Sequence, residues 1–387
     1  MANSKREPRR IGLVLTGGGA RAAYQVGVLR AISVITKFEK VPFSIISGFS
    51  AGAINGAWLG SRCEDFDSAT KSMWDAWASM TTDKVFTTDS ISIARIALRW
   101  LKDRSLGGLM NRRSAINFLL DTAPLESFIK THIDFAALNE HLEKERIHAM
   151  AITAANYRSG HSTVFYNGNR EIQDWRKFNR ISVRTEIKPE FIMASAAIPI
   201  FFPPILVGDS YYGDGMIRLN APLSSAIHLG AQKLLIIGIR GPRPPFHNLN
   251  ETVSSISIGE IAGTILNGLF FDSLDADIDR MQRVNRTLAV MSLEELQQLP
   301  DQLRKIPILT LKPTEEMANL QECEMTTLPA TLSYVLRGIG VTPHKGKDLL
   351  SYLSFEPDYM QSLLNLGYED TIRKKEDVLN FFEEDYE

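Results

Sequence analysis

The chain of 387 residues contains only two cysteines, Cys63 and Cys323, and neither has a partner at C-x-x-C spacing. Two cysteines this far apart predict neither a disulfide framework nor a zinc ribbon. The zinc motif H-E-x-x-H is also absent from the sequence. We therefore expect a protein of a reducing compartment, without a zinc site.

The sequence also lacks a surplus of charge of either sign. Lys and Arg number 43 and Asp and Glu number 45, for a formal net charge of −2. Proteins that bind phosphate backbones usually carry a clear basic surplus, so we expect no nucleic-acid partner. The hydrophobic share of 44% is typical of a packed globular protein and excludes a disordered chain.

Long apolar runs are missing as well. The longest, residues 196–202 and 234–239, fall far short of the ~20 residues that cross a bilayer. No secretory apolar segment follows the polar, basic residues 1–10. These features predict a cytoplasmic protein, peripheral at a membrane if it meets one.

The first sixty residues alternate between strand and helix patterns. Residues 11–16 and 41–47 are apolar runs typical of strands buried on both faces, and residues 20–37 and 51–60 have helical patterns. This β-α-β-α order predicts an α/β protein with a parallel sheet covered by helices. Its functional site is expected at the carboxyl ends of the strands.

The best candidate for a linker is the segment of residues 241–245, which contains one glycine and three prolines. We therefore divide the chain into a polar basic tail (1–10), a catalytic domain (11–240) and a mostly helical extension packed on that domain (241–387). Within the extension, residues 256–285 have a helical pattern and residues 306–311 a strand pattern.

Both early strand ends carry a glycine-rich turn. Residues 17–19 are three glycines that open a helix, and their backbone N–H groups can point at an anion. Residues 48–52 form a G-x-S-x-G motif, which holds Ser50 on a sharp strand-to-helix bend with its hydroxyl exposed. Together the two turns indicate a nucleophile facing a cradle for an oxyanion.

The first glycine turn has an alternative interpretation. Gly17-x-Gly19-x-x-Ala22 also matches a dinucleotide-binding fingerprint. That fold needs an acidic residue near the end of the second strand, where this chain has the G-x-S-x-G motif; the nearest acid, Glu39, precedes the strand. A dinucleotide oxidoreductase is therefore kept only as an alternative.

The base that activates the serine is less evident from the residues. None of the seven histidines follows a strand in the way that a Ser-His-Asp hydrolase requires, and only one strand precedes the serine motif. Asp214 lies between two glycines after a short aromatic strand, a position that suits close approach to another loop. An ordinary Asp-Gly turn explains this segment equally well.

Three segments, in this order, resemble the patatin-like phospholipase family. The G-G-G-A-R of residues 17–21 is similar to its oxyanion loop, the G-F-S-A-G of residues 48–52 to its nucleophile elbow, and the D-G of residues 214–215 to its catalytic aspartate. Residues 194–204 are similar to the block before that aspartate. The match extends over about residues 11–239, and the extension resembles that of bacterial members more weakly.

The resemblance implies a three-layer α/β sandwich with a mostly parallel central sheet. It also implies hydrolysis of phospholipid or lysophospholipid esters by a Ser-Asp dyad through an acyl-enzyme, with no metal and no cofactor. The implied site residues are Ser50 and Asp214 for catalysis, Gly17, Gly18, Gly19 and Arg21 for the oxyanion hole, and Gly48 and Gly52 for the elbow. A catalytically silent lipid-binding or scaffold protein on the same fold is the alternative.

Two positions depart from the family pattern. Ala22 stands where the family generally has glycine, and Met216 stands where it has a small residue. Ala22 is expected to tighten the oxyanion loop and Met216 to narrow the acyl pocket, and neither replaces a reacting group.

Contact with a membrane surface is one interpretation of residues 91–102, where Arg95, Arg99 and Lys102 share one helical face. The other interpretation is a core helix with a solvated basic edge. A metal site formed by His141, Glu145 and His148 is not expected, because these residues span a predicted helix-to-strand boundary.

Overall fold

The computed structural model describes residues 9–87, 118–242, 256–268, 272–297, 303–342 and 346–383. Residues 91–102, with their two interpretations, lie outside the described residues. In the described part of the chain, no helix combines the length and the apolar composition needed to cross a membrane.

The strands within these ranges are β1 (Ile11–Leu15), β2 (Ile45–Phe49), β3 (Ala149–Asn156), β4 (Ser162–Gly168), β5 (Arg176–Lys177), β6 (Arg180–Arg184), β7 (Ile205–Val207), β8 (Ser210–Asp214), β9 (Lys233–Ile237) and β10 (Ile308–Leu311). The α-helices within them are α1 (Ala23–Thr36), α2 (Ala51–Ser61), α3 (Phe66–Ala78), α4 (Ala123–His132), α5 (Phe135–Glu143), α6 (Pro189–Ser195), α7 (Ser224–His228), α8 (Ile258–Asn267), α9 (Ser273–Ala289), α10 (Leu293–Gln297), α11 (Ala330–Gly338), α12 (Lys347–Leu353), α13 (Pro357–Arg373) and α14 (Lys375–Glu383).

One sheet joins these strands in the order β10-β9-β1-β2-β3-β4-β6-β5, and β8 pairs with both β3 and β7. The run from β10 to β3 is parallel throughout. Strands β4 and β8 pair antiparallel with β3. The structure is thus an α/β fold with a central, mostly parallel sheet, and the predicted fold class is confirmed.

Alternating residues of the central strands fill two separate cores, one on each face of the sheet. Leu13 and Leu15 of β1 pack into the larger core, and Val14 packs into the smaller one. All five residues of β1 are buried. This double burial explains the continuous apolar runs in the sequence, because helices cover both faces of the sheet.

The C-terminal extension is closely joined to the rest of the molecule. Strand β10 lies in the sheet beside β9, as the strand pattern of residues 306–311 predicts. Helix α13 crosses α1 so closely that a Cβ on Gly27 would lie 2.0 Å from the carbonyl oxygen of Leu364, and one on Gly367 would lie 2.1 Å from that of Tyr24. The extension therefore contributes to the sheet and to the core, and the boundary at residue 240 stays a prediction.

Candidate functional site

Ser50 occupies a sharp turn between β2 and α2. Its φ of 54° is in the left-handed region, which a residue other than glycine adopts at a cost of about 1–3 kcal/mol. A Cβ on Gly48 would lie 2.5 Å from the carbonyl oxygen of Gly52, and one on Gly52 would lie 2.3 Å from that of Leu15. The strand and helix pass each other so closely that only glycine fits at both flanking positions.

The strand register brings Ser50 and Asp214 together. Strand β2 pairs with β3 up to Phe49, which lies opposite Thr153. Strand β8 then pairs with β3 from the next residue, with Asp214 opposite Ala154. Because β4 already occupies the other edge of β3 there, β8 lies along the same edge of β3 as β2, and its last residue, Asp214, is next to the end of β2. The two side chains therefore meet where a parallel strand gives way to an antiparallel one.

The carboxyl group of Asp214 is fully buried. Its Oδ1 accepts a hydrogen bond from the backbone N–H of Met216 at 3.1 Å, whereas Oδ2 has no hydrogen-bond partner of ordinary geometry among the described residues. Burial raises the pKa of this carboxyl to about 7, although the nearby Ser50 hydroxyl and the Met216 N–H both lower it. A carboxyl with this pKa exchanges its proton near neutral pH.

Ser195 is a residue of the site to which the sequence analysis assigned no role. Its hydroxyl oxygen accepts the backbone N–H of Ser50 at 2.9 Å, and its proton is donated to the carbonyl oxygen of Thr153 at 2.6 Å. Ser195 thus fixes the turn of Ser50 to β3. The only sequence signal was its place in residues 194–204, which resemble a family block.

The glycine loop of residues 17–19 lies at the end of β1. Among the described residues, the backbone N–H groups of Gly18 and Gly19 have no hydrogen-bond partner. The amide of Gln25 donates to the carbonyl oxygen of Thr16 at 2.7 Å and holds the start of the loop. Asn55 of α2 donates to Ala22 at 3.1 Å and holds its end. The loop therefore presents unused donors on a fixed backbone.

Arg21 contacts the C-terminal extension rather than the cavity beside Ser50. Its fully buried guanidinium donates to Ser351 Oγ at 2.7 Å and to Asp348 Oδ1 at 3.1 Å, and it lies 3.5 Å from Glu316 Oε1. Burial alone would lower the pKa of this guanidinium. The nearby Tyr352, Tyr359 and two carboxylates raise the pKa by more than burial lowers it, so Arg21 stays charged. Its backbone N–H is bonded to the carbonyl oxygen of Gly18 at 3.2 Å.

A narrow apolar cavity of about 30 Å³ opens beside Ser50. Ser50 contributes the polar side chain of a lining that is otherwise glycine, alanine, aliphatic, thioether or aromatic. The lining residues are Gly19, Ser50, Ala51, Ile54, Trp77, Met80, Val85, Leu125, Phe128, Ala196, Ile198, Phe202 and Phe355. An apolar chain attached to a group at Ser50 suits this composition.

Three of the five described histidines have partners away from Ser50 and Asp214. Nδ1 of His132 lies 2.9 Å from the carbonyl oxygen of Phe128, and Nδ1 of His141 lies 2.9 Å from Arg146. His228 stacks on Trp175, and burial lowers its pKa to about 4. Within the described ranges no histidine hydrogen-bonds Ser50 or Asp214 or shifts the pKa of Asp214. His247 and His344 lie outside those ranges.

One group of potential metal ligands was found in the described part of the chain. Ligand atoms of Cys63, Glu64 and His141 lie within 4.8 Å of one another, whereas Glu145 and His148 are not in the group. Arg146 faces both Glu64, at 3.3 Å, and His141, and Lys40 lies 3.1 Å from Glu64. These two cations already neutralise the carboxylate and compete with a metal ion for it.

The geometry can be compared with known proteins. A family model described as "Patatin-like phospholipase" matches residues 13–227, which is more than half of the chain. The chain therefore belongs to the patatin-like phospholipase family, as its motifs predict.

Individual relatives are more distant or match less of the chain. "Lysophospholipase nte1" from Aspergillus terreus is 51% identical over 49 residues, which are 13% of this chain and 3% of that protein. The chain thus spans a small fraction of this curated relative.

Two solved structures are similar at low sequence identity. VipD from Legionella pneumophila has 13% identity and a TM-score of 0.36, with 96% of this chain and 67% of that one covered. Human GIVD cytosolic phospholipase A2 has 11% identity and a TM-score of 0.45, with 97% and 60% covered. These values concern the fold alone.

Proposed function

We propose that the protein hydrolyses carboxylic ester bonds of phospholipids or lysophospholipids, with Ser50 as the nucleophile and Asp214 as the base. The observation that carries this proposal is the fully buried carboxyl of Asp214, whose Oδ2 has no partner in ordinary hydrogen-bond geometry and whose pKa is raised by burial and lowered by the neighbouring hydroxyl of Ser50, a residue that lines the apolar cavity. A buried carboxylate oxygen without a partner is unfavourable for stability, and such groups are retained where they react.

The first half of the reaction forms an acyl-enzyme. Asp214 takes the proton of the Ser50 hydroxyl as Oγ attacks the ester carbonyl carbon. The oxyanion is stabilised by the free N–H groups of Gly18 and Gly19, with the positive end of α2 behind Ser50. As the ester C–O bond breaks, Asp214 returns the proton to the leaving alcohol, and the acyl chain lies in the apolar cavity.

The second half releases the fatty acid. Asp214 takes a proton from water, the hydroxide oxygen attacks the acyl-enzyme carbonyl, and the proton passes to Ser50 Oγ as the acyl–serine bond breaks. No cofactor enters either half. The products are a free fatty acid and the deacylated alcohol.

The direct test is covalent labelling. A fluorophosphonate probe loses fluoride as its phosphorus bonds to an activated serine oxygen, so intact and peptide mass spectrometry are expected to find one adduct, at Ser50. Ser225→Ala is the control at a buried serine of α7 that does not line the cavity, and labelling is expected to persist in it. An adduct at another serine, with Ser50→Ala labelled normally, would contradict the assignment. Complete absence of labelling would favour the silent lipid-binding alternative.

A pH profile tests the role of Asp214. The base must be unprotonated in the free enzyme, and burial raises its pKa to about 7. We therefore expect kcat/KM for a soluble ester to rise about tenfold per pH unit below pH 7 and to level off above it. An activity that is flat from pH 5 to 9 would contradict this role, because an ordinary carboxylate is already ionised at pH 5.

Transient membrane contact is part of the proposal. Helix α8 exposes three isoleucines at positions that share one helical face, Ile258, Ile261 and Ile265, which are 66%, 49% and 56% exposed. The same helix is joined to α12 by a hydrogen bond from the Tyr352 hydroxyl to Asn267 at 3.0 Å. This exposed apolar stripe supports contact with a lipid interface on the side of α12.

A further inference from the structure

Phe355 lines the cavity beside Ser50 although it belongs to the C-terminal extension. It lies outside residues 13–227, the part of the chain that the family model matches. The other lining residues, from Gly19 to Phe202, all lie inside that range. The extension therefore supplies one wall of a cavity that the rest of the family domain leaves incomplete.

Contacts on the cavity side hold this wall in place. Phe355 is 6% exposed, and its ring packs edge-on against Phe86, with ring centroids 6.3 Å apart. Phe86 in turn packs against Phe202, another lining residue, at 5.9 Å. The neighbouring Glu356 accepts a hydrogen bond from the Thr82 hydroxyl at 2.7 Å. These contacts fix the Phe355 ring within the aromatic lining of the cavity.

The same segment is fixed to the glycine loop. A Cβ on Gly19 would lie 2.2 Å from the carbonyl oxygen of Tyr352, so the last turn of α12 lies directly on the loop. The Arg21 guanidinium lies 4.5 Å from the centre of the Tyr352 ring and bonds Ser351 and Asp348 of the same helix. Only Ser354 separates α12 from Phe355. The position of the wall is therefore set relative to the reacting atoms.

We propose that Phe355 determines which acyl chains the site accepts. This inference rests on the proposed function. The cavity of about 30 Å³ is too small for a long chain. Phe355 lies in the connection between α12 and α13, and its ring forms one wall of this cavity. Phe355 limits the length of the chain that fits next to Ser50, and the site selects short chains.

The test compares chain lengths with p-nitrophenyl butyrate and p-nitrophenyl octanoate, each used below the concentration at which it aggregates. In Phe355→Ala the ratio of kcat/KM for the long ester to that for the short ester is expected to rise about tenfold or more over the wild-type ratio. Phe355→Leu is expected to raise it less, and Phe355→Trp to lower it. If Phe355→Ala does not fold, the ratios measured for Phe355→Leu and Phe355→Trp decide the question.

Phe381→Ala is the matched control. Phe381 is 7% exposed, belongs to the same extension, and packs on Phe382 and Lys233 instead of lining the cavity. Its truncation is expected to lower stability but to leave the chain-length ratio unchanged. An unchanged ratio in all three folded Phe355 variants, or an equal shift in Phe381→Ala, would overturn the role of Phe355 alone. A wild type that hydrolyses no ester and is not labelled at Ser50 would contradict the proposed function itself.

Discussion

Ser50→Ala and Asp214→Asn are each expected to lower kcat/KM for ester hydrolysis by roughly 10³ to 10⁶, because the members of a nucleophile–base pair act as a unit. Asparagine has the shape of aspartate and keeps an oxygen for the Met216 N–H, but it cannot accept the serine proton. Initial rates with a soluble ester measure the loss, and circular dichroism checks that both variants are folded.

The stability of Asp214→Asn is a separate measurement on the same protein. The pKa of this carboxyl is about 7 in the folded protein, whereas an aspartate exposed to water, as in the unfolded chain, has a pKa of 3.8. The folded state therefore binds the proton more tightly than the unfolded state does. The free energy of unfolding therefore falls as pH rises from 3.8 to about 7, and the loss persists at higher pH. We expect Asp214→Asn to melt above the wild type at pH 8 and close to it at pH 4.

Histidine variants are the control for the identity of the base. His228→Ala, His247→Ala and His344→Ala are each expected to keep most of the activity. The imidazole of His228 stacks on Trp175, so its removal is expected to affect local packing and not turnover. A folded histidine variant that loses several orders of magnitude in kcat/KM, with Asp214→Asn still active, would establish a histidine base instead.

The part of the site that follows local rules was predictable from the sequence. The glycines that flank Ser50 identify the strand-to-helix turn, because the geometry of that turn excludes a Cβ at both positions. The apolar runs identify strands buried on both faces, and the order of strands and helices identifies a parallel sheet. Each of these signals lies within a few residues of the feature that it specifies.

The rest of the site depends on contacts between distant segments. The pairing of β8 with the part of β3 that extends beyond β2 places Asp214 next to Ser50, and no local pattern specifies that register. The partners of Arg21 lie about 300 residues further along the chain, and so does Phe355. Resemblance to the family assigned Arg21 to the oxyanion loop but says nothing of where its side chain ends. The contacts of the C-terminal extension with the glycine loop and the cavity are therefore evident only from the folded structure.

Substitutions in the glycine loop of residues 17–19 are expected to have the second large effect on turnover. Gly18→Ala is expected to lower kcat about a hundredfold or more, with a smaller change in KM, because one displaced oxyanion donor costs about 3 kcal/mol in the transition state. The added methyl would lie 1.7 Å from Cδ1 of Ile239, so either that side chain or the loop must move. In Gly19→Ala the methyl meets the backbone of Tyr352 at 2.2 Å, and we expect a larger loss of thermal stability.

A second substitution tests whether the added methyl group lowers kcat by displacing the glycine loop. Ile239→Val removes Cδ1 and leaves a contact of 3.2 Å with Cγ1, which a small shift of the side chain relieves. The double variant Gly18→Ala/Ile239→Val is therefore expected to recover much of the lost kcat, while Ile239→Val alone stays near the wild type. Recovery would mean that the loop returns its N–H groups to the oxyanion. Normal ester hydrolysis in Gly18→Ala, together with micromolar binding of NAD(P) or ATP to the wild type in calorimetry, would instead assign the loop to a nucleotide phosphate.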